Sequence, residues 1–206
     1  MLSLLSKGFL LGLAVAASPG PIFFLCVRRI LTQGRLIGLF SGLGVATADG
    51  FYAAIATFGV AALTTAFVAG RRPLALIGGS ILVLLGVRIL LERRNAARPA
   101  AAPTGRGLAW AYVSTLGLTI TNPATIVSFA ALAATLGFGT GSSFAGPALV
   151  VTGVLLGSAL WWCVLVVAAS LLRARLTPAL ITWVSTASGL AIALLGILAV
   201  LSAFSS

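Results

Sequence analysis

The chain is expected to fold as an all-α integral membrane protein: six transmembrane helices in two inverted three-helix repeats, with helices 1 and 4 broken. Three observations lead there. Of its 206 residues, 60% are hydrophobic, and the mean hydropathy is +1.19. No charged residue occurs between Arg106 and Arg173, a stretch far longer than the ~20 apolar residues that cross a bilayer. Pro21 and Pro123 stand near the middle of two long apolar stretches, 102 residues apart. Each proline removes a backbone donor and crowds the carbonyl four residues earlier, so the helix kinks or unwinds there.

Charges and turn clusters divide the chain into apolar segments at residues 4–27, 36–68, 74–91, 108–136, 148–172 and 178–204. The apolar run from Gly8 to Val27 is too long for the apolar region of a signal peptide, and Lys7 is the only basic residue before it, so no cleavable leader is expected. The fourth ends in a glycine-rich run, residues 137–147, with turn chemistry throughout. Residues 93–106 are rich in Pro, Ala and Arg and suit a solvated linker. They separate a first repeat (1–92) from a second (107–206). Three crossings per repeat leave the second inverted relative to the first.

Internal spacing supports the repeat. Gly44, Asp49 and Tyr52 in the second segment are matched by Gly153, Ser158 and Trp161 in the fifth. Orientation follows from the basic residues. One side holds Lys7, Arg71 and Arg72; the other holds Arg28, Arg29, Arg35, Arg88, Arg93, Arg94, Arg98, Arg106, Arg173 and Arg175. The positive-inside rule puts the larger set, and the linker, in the cytoplasm and both termini outside. A formal charge of +11 is typical of nucleic-acid binders, but here the arginines fall between apolar runs and form no amphipathic helix. They read as topology signals, and no nucleic-acid partner is expected.

Asp49 is the sharpest single residue. It is one of two acids; the other, Glu92, sits four residues after Arg88 and reads as its surface ion-pair partner. Gly38, Gly42, Ala46, Asp49 and Ala53 share one helical face, and small residues let helices approach closely, so this face points into the bundle. An acid at membrane depth costs about 2.5–3.5 kcal/mol on insertion scales. Either it is structural, bonded to a hydroxyl or a loosened helix end, or it carries protons or meets a cationic group on a substrate.

The two interruptions are Ser18-Pro19-Gly20-Pro21 and Thr119-Ile120-Thr121-Asn122-Pro123. A packing kink is the plain reading of one membrane proline. Two at matching positions point to a shared binding site, because irregular backbone at membrane depth survives only when buried in protein or facing a wet cavity. Freed carbonyls suit an ammonium group and half-helix N-termini suit a carboxylate, with Asn122 adding an amide and Ser158 a hydroxyl. Trp161 and Trp162 read as packing filler more than as a cavity wall, and Trp110 and Trp183 as interface anchors. Cys26 and Cys163 are expected to be small buried hydrophobes without a disulfide. With no histidine in the chain, neither a metal site nor a cofactor is expected.

At Ser18-Pro19-Gly20-Pro21, Gly42/Gly44…Asp49, Thr121-Asn122-Pro123 and Gly157-Ser158-Ala159-Leu160-Trp161-Trp162, the chain resembles the lysine exporter (LysE/RhtB) family of amino-acid translocators. The resemblance covers essentially the whole chain. It implies six spans in a bacterial inner membrane, export of amino acids or derivatives driven by the proton gradient, broken helices around a central site, and a homodimer. Members often carry a lysine directly after Asn-Pro; this chain has Ala124. The expected function is therefore secondary transport of a small amino acid or amino-acid-like metabolite, by proton antiport, and no enzymatic activity. Inorganic cation efflux and a non-transporting membrane scaffold are the alternatives.

Overall fold

The computed structural model describes residues 2–58, 70–92, 102–136, 144–173 and 175–204. Among these, all regular structure is helical. The helices are α1 (Leu2–Ala17), α2 (Pro21–Gln33), α3 (Arg35–Thr57), α4 (Arg71–Leu91), α5 (Gly105–Ile120), α6 (Pro123–Leu136), α7 (Ala145–Arg173) and α8 (Pro178–Ser202). The far end of the second expected segment, most of the 93–106 linker and the start of the glycine-rich run lie outside the described residues.

Among the described residues, four helices, α3, α4, α7 and α8, are long and apolar enough to cross a bilayer. The pair α1 and α2, bent by 76°, makes a fifth span if counted as one. The sequence leads one to expect six. The shortfall arises at the fourth segment, where Thr121 and Asn122 split the chain into α5 and α6, of 16 and 14 residues. Neither alone has the ~20 residues of a full crossing. Helix starts follow local chemistry: the Thr104 hydroxyl accepts from Gly107 N at 3.1 Å, and the Thr177 hydroxyl from Leu180 N at 3.3 Å with Pro178 in the first turn. Helix α5 thus begins inside the expected linker.

The longest helix–helix contacts join distant parts of the chain: α1 with α7, α4 with α8, and α3 with both α5 and α7. Glycines set the first of these. A Cβ on Gly8 or Gly12 would overlap the carbonyl oxygens of Val150 or Val154, and one on Gly153 or Gly157 would overlap those of Leu5 or Phe9. The two backbones touch through reciprocal small-residue notches. Gly79 and Gly196 do the same between α4 and α8. Exposed leucines such as Leu10, Leu84 and Leu156 cover the outside, while Leu25, Cys26, Ile30, Ala48 and Val154 fill the inside. A polar interior with an apolar exterior is not required of a bundle in lipid; what matters is that buried polar groups find partners.

Two expectations are corrected here. Helix α2 does not stop at Val27 but runs on to Gln33, so Arg28 and Arg29 lie within it and are buried. Their guanidinium groups are taken up inside the bundle. Arg28 Nε donates to Ser185 Oγ at 3.0 Å, and Arg29 donates to Ser41 Oγ (3.0 Å), Ser114 Oγ (2.9 Å) and the Ala111 carbonyl (3.2 Å). Cys26 is buried as expected, but Cys163 is exposed, because its position on α7 faces away from α1 and α3. Both are free thiols. Arg88 and Glu92 pair at 2.9 Å, as their spacing suggests, and Arg28 approaches the same carboxylate at 4.0 Å.

Candidate functional site

The chain breaks its helices at the two expected places. After α1, Ser18 N turns back to the Val15 carbonyl at 3.2 Å; after α5, Asn122 N turns back to the Thr119 carbonyl, also at 3.2 Å. Each carbonyl that the proline deprives of its helical donor is thus met by a tighter three-residue turn. Gly20 is extended and precedes Pro21 at the start of α2, with no side-chain cap. At the second break the Asn122 Oδ1 accepts from Ala124 N at 3.2 Å, and the Tyr52 hydroxyl donates to the Ile120 carbonyl. The break is therefore satisfied by a side chain from α3 and by its own asparagine.

Both breaks open on one cavity of about 100 Å³. Ser18, Pro19 and Gly20 line it from the first break, Thr119 and Asn122 from the second, and Asp49 from α3. Asp49 is 2% exposed and is the sole charged residue among those lining it. Ser158 on α7, wholly buried, donates to Asp49 Oδ2 at 2.7 Å. No lysine or arginine pairs with Asp49 among the described residues. The first turns of α2 (Ile22) and α6 (Ala124, Thr125) reach the same space. It therefore combines an acid with two helix N-termini, the positive ends of their dipoles.

The candidate residues thus converge, with shades of difference. Asp49, Ser18, Pro19, Gly20 and Asn122 line the cavity; Ser158 reaches it through Asp49; Pro21 and Pro123 start the helices that frame it. Thr121 stands apart: its hydroxyl folds back on the Gly117 carbonyl at 3.0 Å, and its backbone packs on Gly78 of α4. Sequence reasoning passed over Thr125 and Ser128, took Thr119 only as the start of the second interruption, and favoured filler for Trp162, which is buried and forms part of the cavity wall. The Trp162 indole N–H has no hydrogen-bond partner among the described residues. The serine and threonines were legible as one turn on either side of Pro123. Ala124, where the resemblance leads one to expect lysine, lines the cavity too.

Broken helices that meet at a small cavity holding a buried acid, within an apolar bundle, are an arrangement found in membrane transporters. The comparison with known families agrees. The chain belongs to the LysE type translocator family, whose model matches residues 13–203. It is 31% identical over 166 residues to the chemotactic transduction protein ChpE of Pseudomonas aeruginosa, covering 79% of this chain and 80% of that protein. It is also 36% identical over 66 residues to the uncharacterized membrane protein YahN of Escherichia coli, covering 32% of this chain and 30% of YahN. No solved structure gives a significant match. Family membership makes this a multi-pass membrane transporter with a small-molecule substrate.

Proposed function

We propose that the protein exports a small zwitterionic amino acid, or a metabolite resembling one, in exchange for protons, through the cavity between the two breaks. The observation that carries this reading is the lone buried carboxylate of Asp49 facing two helix N-termini across a cavity of about 100 Å³. A substrate ammonium group meets Asp49, and its carboxylate meets the first turns of α2 and α6. When the substrate leaves, a proton on Asp49 replaces the ammonium as the group that offsets the carboxylate, which couples the two fluxes.

The same reading takes α5 and α6 together as one broken crossing, giving six spans in two inverted repeats. Exchange of contacts supports it: α1 packs on α7 while α3 packs on α5, and α4 packs on α8. Asp49 and Ser158, at matching positions of the repeats by spacing, meet each other at 2.7 Å, as residues on a pseudo-twofold axis must. The arginine-rich ends then lie in the cytoplasm of a bacterium, the membrane is the inner one, both termini are outside, and two copies pair as a homodimer.

The test is flux in proteoliposomes under an imposed proton gradient, with labelled glycine, alanine, leucine and lysine and with divalent cations. Gradient-driven movement of the small neutral amino acids supports the proposal. Cation movement without amino-acid movement, or no flux at all, would replace it with ion efflux or a scaffold.

A further inference from the structure

We propose that the corner where α2 turns into α3 binds a phosphate group, of the kind carried by an anionic phospholipid headgroup or found free in solution. A second cavity, of about 480 Å³, opens there and shares no residue with the central one. Arg35, the first residue of α3, and Arg173, the last of α7, both line it. Neither guanidinium has an ion-pair or hydrogen-bond partner among the described residues, and no acid lines the space. The Arg173 Nη1 comes within 3.8 Å of where a Cβ on Gly34 would stand, so the guanidinium is held against the corner itself. Ser170 is also part of the lining. Gly34 caps the 23-residue α3 without a side-chain acceptor, leaving the amides of its first turn unmet.

These donors suit one ligand chemistry. Guanidinium groups match phosphate oxygens in a bidentate fork. A helix N-terminus adds amide donors and the positive end of a dipole. Placement says where such a phosphate comes from. Arg35 and Arg173 terminate two candidate membrane spans, and Leu36, Leu171 and Leu172 are exposed beside them, so the corner stands at headgroup depth with apolar surface below it. The cavity is larger than a phosphate needs and has room for a glycerol backbone.

The full-length chain, purified in neutral detergent, is melted in mixed micelles with phosphatidylglycerol, with phosphatidylcholine at the same mole fraction, or with inorganic phosphate at matched ionic strength. Phosphatidylglycerol should raise the melting temperature by several degrees over phosphatidylcholine. The R35Q/R173Q variant should keep its melting temperature in phosphatidylcholine and lose that increment. An R72Q/R106Q variant, with the same change of charge at exposed sites elsewhere, should retain it. If inorganic phosphate alone reproduces the increment, the ligand is the free anion. The proposal fails if neither probe shifts the wild type, if the increment persists in R35Q/R173Q, or if R72Q/R106Q loses it equally. Should the double variant not fold, native mass spectrometry of the wild type and of the single variants R35Q and R173Q decides: phosphatidylglycerol adducts on the wild type, weakened in each variant, are expected, and equal adducts on all three would overturn it.

Discussion

Replacing Asp49 by asparagine separates the role of its charge from the role of its shape. Asparagine has the same outline and keeps an oxygen to accept from Ser158, 2.7 Å away in the native protein. The variant loses a hydrogen bond to a charged group, about 1.5–3 kcal/mol, and gains a neutral one of about 0.5–1.5 kcal/mol. Against this it escapes part of the ~2.5–3.5 kcal/mol that a central acid costs on insertion scales. These terms offset each other, so Asp49→Asn should match the wild type in stability to within about 1 kcal/mol. Transport should not be spared. One charge moved through 100 mV supplies about 2.3 kcal/mol, which at 1.36 kcal/mol per decade sustains a ~50-fold concentration ratio of substrate. In proteoliposomes with a potential and a pH gradient imposed, the wild type should approach that ratio and the variant should stay near unity. A well-folded Asp49→Asn protein that still builds a gradient-driven ratio would refute the assignment of Asp49 as the coupling group, whatever the substrate.

Other substitutions probe the frame around the cavity. Ser158→Ala removes the hydroxyl that donates to the buried Asp49 carboxylate and should lower stability by about 1–3 kcal/mol in denaturant or thermal melts. Gly157→Val sets a side chain against the Phe9 carbonyl; α1 and α7 must part, and the protein should lose monodispersity in size-exclusion chromatography. Gly34 has φ 97° and ψ 171°, a region open essentially to glycine alone, so Gly34→Ala should cost about 1–3 kcal/mol, read as a lower melting temperature. Arg29→Ala leaves an empty space and two serines without their cation, whereas Arg29→Met fills the space and removes the buried charge; melting should fall clearly in the first and recover most of the loss in the second. Ala124→Lys brings a cation into the central cavity, where it competes with the substrate ammonium for Asp49, and amino-acid flux should drop at least tenfold by about 1.4 kcal/mol of competition.

Which of these features a reader of the chain can find depends on how local their causes are. Pro21 and Pro123 act through their own rings on carbonyls three or four residues away, so both breaks were legible, as was the inward aim of Asp49 from the small residues on its helical face. Ser158 was found by spacing alone. Arg28 and Arg29 were not: two arginines at the end of an apolar run look the same whether they face water or a bundle. Their partners Ser185, Ser41 and Ser114 belong to three other helices, and nothing near position 28 in the chain announces them. Cys163 illustrates the same limit, since which side of α7 faces α1 is decided by Gly153 and Gly157 meeting Leu5 and Phe9, not by the residues beside the thiol. The count of crossings depends on how far Thr121 and Asn122 part α5 from α6, which proline chemistry predicts in kind but not in extent.

The notched seam between α1 and α7 has a consequence for how the polypeptide is made. Glycines at 8 and 12 await carbonyls at 150 and 154 that the ribosome has yet to produce. At about 5–20 residues per second the delay is on the order of ten seconds. Throughout that interval the earliest helix sits in the insertion machinery or the lipid with its closest-fitting surface unmatched. Assembly can therefore close only after most of the chain has emerged, and an amino-terminal fragment ending before residue 145 would lack the neighbour its first helix is shaped to receive.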